Sequence, residues 1–233
     1  MNDIIKIENL KKSYGKKVVL DGISLSLGEN QIIGLLGPNG CGKTTLIKTL
    51  TGLIKDYEGS ILIDGEKPGV HSKSIIAYLP EKSYLPDWMR PVDALKYFAD
   101  FYEDFDTAKA EKMIRDFDLD MKQKIKTMSK GQQEKISLIL VMSRRAKLYI
   151  LDEPLGGVDP AARDAILSLI MNNYAEHSTV LMSTHLIHDI EPVLDRALMI
   201  SRGKLVLNAD VEKIKQEGRT VEDIFKEVFA YAW

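Results

Sequence analysis

Hydrophobic and polar positions along the chain fall into two textures. Ile4 to Ile7, Val18 to Leu27 and Ile61 to Ile63 are β-rich stretches, broken by turns at Tyr14-Gly15, Asp21-Gly22, Gly28-Glu29-Asn30 and Asp64-Gly65. This spacing predicts an antiparallel sheet near the N-terminus. Short, solidly apolar runs then follow at Gln31 to Leu36, Ile75 to Leu79, Leu148 to Leu151, Thr179 to Met182 and Ala197 to Ile200, several with helical patterns after them. Strands that are apolar throughout and alternate with helices predict a mostly parallel sheet covered on both faces.

Between Pro91 and Met142 the β signal disappears. Val92, Leu95, Phe98 and Phe101/Tyr102 recur at helical spacing, then Met113, Ile114 and Phe117, then Ile136, Ile139 and Leu140. The expected architecture is one α/β domain over 1–233, with an N-terminal antiparallel β subdomain, a helical subdomain inserted over about 82–142, and a helical tail over about 210–233. The tail's stripe of Val221, Ile224, Phe225, Val228 and Phe229 suits either packing on the core or a partner contact.

Composition narrows the function. Of 233 residues, 45% are apolar, and 32 Lys plus Arg nearly balance 34 Asp plus Glu for a net charge of −2. That balance provides no basic field for nucleic acid, so no nucleic-acid partner is expected, and any polyanion must be held by a local site. The longest apolar runs are too short to span a bilayer, and MNDIIKIENLKK places charges where a signal peptide needs an apolar stretch. A cytoplasmic chain is expected. The single cysteine, Cys41, fits a reducing compartment.

The local site is a glycine-rich loop. Gly37-Pro38-Asn39-Gly40-Cys41-Gly42-Lys43-Thr44 matches GxxxxGK[ST], between the apolar strand Ile32 to Leu36 and the helical run from Thr45 to Leu53. Its glycines let successive backbone N–H groups turn inward around phosphate, at the positive end of the following helix. Lys43 would reach the β- and γ-phosphates, and the Thr44 hydroxyl is a hard ligand for Mg2+. Thiolate character is expected at Cys41, because the loop N–H groups favour it.

Two further apolar strands end in polar tips. Leu148 to Leu151 runs into Asp152-Glu153-Pro154, and adjacent carboxylates at a strand end are costly to desolvate unless a cation or a reaction uses them. Asp152 suits the metal side and Glu153 the polarisation of an attacking water. Thr179 to Ser183 ends at Thr184-His185, and His185 is expected to hydrogen-bond the γ-phosphate or the water.

In this order the residues resemble the ATP-binding subunit of ATP-binding-cassette (ABC) transporters, from Ile5 to about Phe229. Met128-Ser129-Lys130-Gly131-Gln132 is similar to that family's LSGGQ signature, and Gly157-Val158-Asp159-Pro160 to its D-loop. The resemblance implies an α/β P-loop NTPase fold, ATP and Mg2+ as ligands, and ATP hydrolysis coupled to transport. It implies head-to-tail dimerisation with a second ATP-binding subunit, so that Ser129, Lys130, Gly131, Gln132 and Asp159 meet the nucleotide of the other copy. It also implies an integral membrane transporter subunit, with this chain peripheral on the inner face of the membrane. Tyr14 occupies the family's adenine-stacking position, unless it is a plain turn tyrosine.

Two departures stand out. Lys130 replaces a glycine, either adding a cation near phosphate or pointing to solvent. Glu81, in Tyr78-Leu79-Pro80-Glu81, replaces a glutamine, remains a hard Mg2+ ligand, and resembles a subset serving drug, antibiotic and peptide exporters. The following segment, Tyr84 to Arg90, fits either the membrane-subunit contact or packing within the insert. A GTPase is a weaker reading, because Asp56-Tyr57-Glu58-Gly59 matches DxxG but no NKxD occurs. A soluble non-transport ABC ATPase and a nucleotide-dependent regulator compete with the transporter reading.

Overall fold

A computed structural model describes residues 3–230 of the chain. The first part holds β1 (Asp3–Tyr14), β2 (Lys17–Gly28), β3 (Ile32–Leu36), α1 (Lys43–Leu50), β4 (Glu58–Ile63), α2 (Val70–Ile75) and β5 (Ile76–Leu79). Next come α3 (Pro91–Phe101), α4 (Thr107–Asp116), α5 (Lys130–Met142), β6 (Leu148–Asp152), α6 (Pro160–Met171) and β7 (Thr179–Thr184). The chain continues through α7 (Ile187–Ile190), β8 (Arg196–Ser201), β9 (Lys204–Asp210), α8 (Val211–Gln216) and α9 (Val221–Phe229). Residues 231–233 of the expected tail lie outside the described residues.

β2-β1-β4 form an antiparallel sheet, and β5-β6-β7-β3-β8-β9 form a second sheet, parallel except where β9 runs against β8. The solidly apolar strands divide their side chains by the period of two. Ile33, Leu35, Leu148, Ile150, Leu181, Leu198 and Ile200 face a core shared with α1 and the antiparallel sheet. Ile32, Leu36, Tyr149, Leu151, Val180, Met182 and Met199 face the opposite core, against the helices. The glycine-rich loop thus leaves the middle of a sheet buried on both faces.

α3, α4 and α5 build the helical region between β5 and β6. Ala94, Leu95 and Phe98 face the core; of the Phe101/Tyr102 pair, Tyr102 packs against it, whereas Phe101 is 67% exposed and lies against exposed Tyr97 with ring centroids 4.5 Å apart. Arg144, just past α5, ties this region to β5. It holds Asp104 through Nε (2.9 Å) and Nη2 (3.1 Å), donates to the carbonyls of Ile76 and Ser74, and lies over the Tyr102 ring at 3.9 Å. The C-terminal stripe packs on the core: Val221 and Phe229 are buried, with Ile224 and Phe225 against the same cluster. Among the described residues no helix is long and apolar enough to cross a membrane.

Candidate active site

The glycine-rich loop joins β3 to α1, and two of its glycines are sterically required. Gly37 has φ 156°, and a Cβ there would lie 2.6 Å from both Cys41 Sγ and the Ile200 carbonyl. Gly42 has φ 117° and abuts β2, with a Cβ reaching Val19 O at 3.0 Å. Gly42 is also the N-cap of α1 and offers no side-chain cap, so the first N–H groups of that helix are free for an anion.

A cavity of about 960 Å³ opens over this loop. Asn39, Gly40, Gly42, Lys43, Thr44, Thr45, Glu81, Lys130, Glu153 and His185, all singled out in the sequence, line it. The Lys43 ammonium donates to the carbonyls of Gly37 (2.8 Å) and Pro38 (3.4 Å) and lies 3.4 Å from Glu153 Oε1. His185 Nδ1 is 3.0 Å from Glu153 Oε2. Both oxygens of Glu153 are therefore engaged, one by an ammonium and one by an imidazole. Glu153 adopts φ 53°, a left-handed backbone uncommon outside glycine, and its N–H is held by the carbonyl (3.1 Å) and hydroxyl (3.0 Å) of Ser183. The strain is tolerated because β7 fixes the turn after β6.

Asp152 lies beneath, 1% exposed. Its Oδ1 accepts hydrogen bonds from Ser183 Oγ (2.6 Å) and Thr44 Oγ1 (3.4 Å), while its buried Oδ2 has no hydrogen-bond partner among the described residues. Burial pushes its carboxyl above the usual range against these two hydroxyls, and the nearby Glu81 and Glu153 charges add to the rise. A divalent cation fits this donor set, since an unpaired buried carboxylate oxygen and a hydroxyl lie together. Among the described residues no group of three or more His, Cys, Asp or Glu is arranged as a metal cage.

The other expected residues lie elsewhere. Ser129 caps α5, accepting from Gln132 N (3.2 Å) while Gln132 Oε1 accepts from Ser129 N (2.9 Å). Ser129, Gly131 and Asp159 are exposed and do not line the cavity. Tyr14 does not line it either, although Lys17, its direct partner in the β1–β2 ladder, does. Lys130 lines the cavity with its side chain 76% exposed, Nζ lying 3.6 Å from Glu134 Oε1 of its own chain, and a Cβ on Gly157 would come within 2.5 Å of that nitrogen.

Cys41 reverses its expectation. The thiol is 7% exposed, and burial raises its pKa despite Lys43 nearby, so the loop does not make a thiolate. Sequence reading also passed over Ser183, whose only signal was a hydroxyl one position before the polar tip of an apolar strand.

Fold and site define a P-loop nucleotide hydrolase. A family model described as ABC transporter matches residues 20–156. The chain is 34% identical to an uncharacterised ABC transporter ATP-binding protein of Methanocaldococcus jannaschii, over 95% of this chain and 83% of that one. It is 28% identical to the lantibiotic transport ATP-binding protein SrtF of Streptococcus pyogenes, over 95% and 96% of the two chains. A solved ATP-binding subunit of an ABC transporter superposes with a TM-score of 0.85 at 25% identity, over 96% of this chain and 98% of that one. The chain belongs to the ABC transporter family, as an ATP-binding subunit that hydrolyses ATP. Subunits of this family dimerise and work with membrane subunits.

Proposed function

We propose that this chain binds Mg-ATP between its own glycine-rich loop and the signature of a second ATP-binding subunit, and that hydrolysis drives a separate integral membrane subunit. One observation carries this reading. Lys43, Glu153 and His185 converge on the cavity, while Ser129, Gly131 and Asp159 are exposed to solvent. A second copy facing head to tail gives those exposed groups a ligand, with the N-terminus of α5 directed at the γ-phosphate.

In this scheme the loop N–H groups and Lys43 hold the phosphates. Glu153 takes the proton of the attacking water, and His185 keeps its carboxylate in place. A neutral His185 that donates to Glu153 through Nδ1 offers only an acceptor at Nε2, suited to the water; the imidazolium donates from both nitrogens and suits the γ-phosphate. Thr44, Asp152 and Glu81 would hold Mg2+, which would supply charge neutralisation on the phosphates.

The surface beside Glu81 supports the membrane partner. Leu85 and Met89 anchor the segment after Glu81, which leaves Tyr84 41% and Trp88 66% exposed. Tyr84, Phe98 and Tyr102 also line an adjoining cavity of about 450 Å³. Exposed aromatics next to an apolar groove suit a helix of a membrane subunit. The resemblance of Tyr78-Leu79-Pro80-Glu81 to the exporter subset and the lantibiotic transport role named for SrtF favour export, with the chain peripheral on the inner membrane face. The reading treats the chain as one ATPase domain, with 82–142 as its helical subdomain and 210–233 as its tail.

Glu153→Gln tests the scheme. It retains ATP binding, slows turnover by about 10²–10⁴-fold and traps an ATP-dependent dimer in sedimentation. Turnover near the parent rate, or a variant that stays monomeric with ATP, overturns it.

A further inference from the structure

Among the described residues three cationic side chains are buried: Lys43, Arg144 and Lys12. Lys43 serves the phosphate loop, and Arg144 is engaged by Asp104, two carbonyls and a ring. Lys12 has no comparable reason to be inside. Its side chain is 7% exposed, yet its acidic partner, Asp56 Oδ2 at 3.0 Å, belongs to a fully exposed side chain. An ion pair with a solvated carboxylate offsets little of the cost of burying an ammonium. Lys12 Nζ also stands over the ring of Tyr14, 5.0 Å from the centroid.

The contact is made within β1 between residues two apart, Lys12 buried and Tyr14 exposed, with an irregularity in the β1–β2 register just after Lys12. Tyr14 does not itself line the nucleotide cavity, but it pairs across the ladder with Lys17, which does, and 51% of its surface is exposed. An ammonium over one face of a ring leaves only the other for stacking, and the cation–π attraction restrains the ring's rotation.

We propose that Lys12 is a base-positioning residue: its ammonium seats one face of Tyr14 so that the opposite face is presented to the adenine of ATP. The proposal rests on Tyr14 being the stacking platform for the base. Lys12 never touches the phosphates in this scheme. It therefore governs how much the base adds to binding and not how tightly the loop grips a triphosphate.

The test compares two ligands by titration calorimetry: Mg-adenylyl-imidodiphosphate, which carries the base, and Mg-triphosphate, which does not. Lys12→Met, which keeps the stem and removes the charge, is expected to weaken the nucleotide analogue by about 2- to 5-fold and leave triphosphate affinity unchanged. Lys12→Arg keeps a cation over the ring and should bind both ligands like the parent. In a Tyr14→Ala background Lys12→Met should have no further effect, because the ring it positions is gone. Equal weakening of both ligands by Lys12→Met makes the residue merely structural and overturns the proposal. An unchanged Lys12→Met alongside a weakened Tyr14→Ala also overturns it, while leaving the stacking role intact. Should Tyr14→Ala itself bind the analogue like the parent, the stacking role fails and the proposal with it.

Discussion

Asp152→Asn should make the nucleotide-free protein more stable at neutral pH while removing its ATPase activity. The carboxylate is 1% exposed, and only one of its oxygens is hydrogen-bonded, to Ser183 and Thr44. An asparagine keeps that acceptor and loses the charge. It places an amide NH2 at the unpaired position, a cost of about 1–3 kcal/mol, in place of an incompletely satisfied buried carboxylate, which costs several kcal/mol. The balance favours the amide by about 1 kcal/mol, or about 2–4 °C in Tm for a domain of this size. The pH dependence has a definite sign. Burial raises the folded carboxyl above its unfolded value, so the penalty of ionisation is complete above the folded pKa and disappears as pH falls towards the ordinary carboxylate range. Urea unfolding without nucleotide or magnesium should therefore show the asparagine advantage at about pH 7.5 and a smaller one at about pH 5. An asparagine variant less stable than the parent at neutral pH, or a gap that does not change with pH, refutes the reasoning.

Lys43→Ala should weaken ATP binding to the monomer, whereas Ser129→Arg should leave monomer affinity intact and block the ATP-dependent dimer; equal loss of affinity in both contradicts the division of the site. Cys41, buried and with a raised thiol pKa, should react slowly with maleimide at neutral pH and more slowly still with saturating Mg-ATP, as followed by mass spectrometry. Arg144→Ala leaves Asp104 and two carbonyls without their donor and should cost about 3–5 kcal/mol by urea unfolding, with a loss near zero contradicting its role as the tie to β5.

Where a feature is encoded within a few consecutive residues, the sequence was legible. The glycine loop, the acid pair at the end of β6 and the His after β7 each sit at a strand end that apolar runs announce. Parallel pairing then carries all three to one edge of the sheet, and Lys43, Glu153 and His185 come within 3.4 Å of their neighbours there. β9 was missed: Leu205 and Val206 give a weak signal in an edge strand whose half-exposed face needs little apolar character. The Phe101/Tyr102 position resolves only in the structure, where Tyr102 packs against the core and Phe101 turns to solvent beside Tyr97.

The sequence by itself determined the type of fold, the glycine-rich loop and which polar side chains sit at the ends of apolar strands, because periodicity and glycine spacing are local properties of the chain. Only the tertiary structure decided which groups share an environment. It placed Ser183, 31 residues away in sequence, against Asp152. It buried Cys41 so that desolvation outweighs Lys43's charge, and it set the Lys12 ammonium over Tyr14. Desolvation and ring orientation depend on what packs around a group from distant parts of the chain, and no spacing along the sequence carries that information.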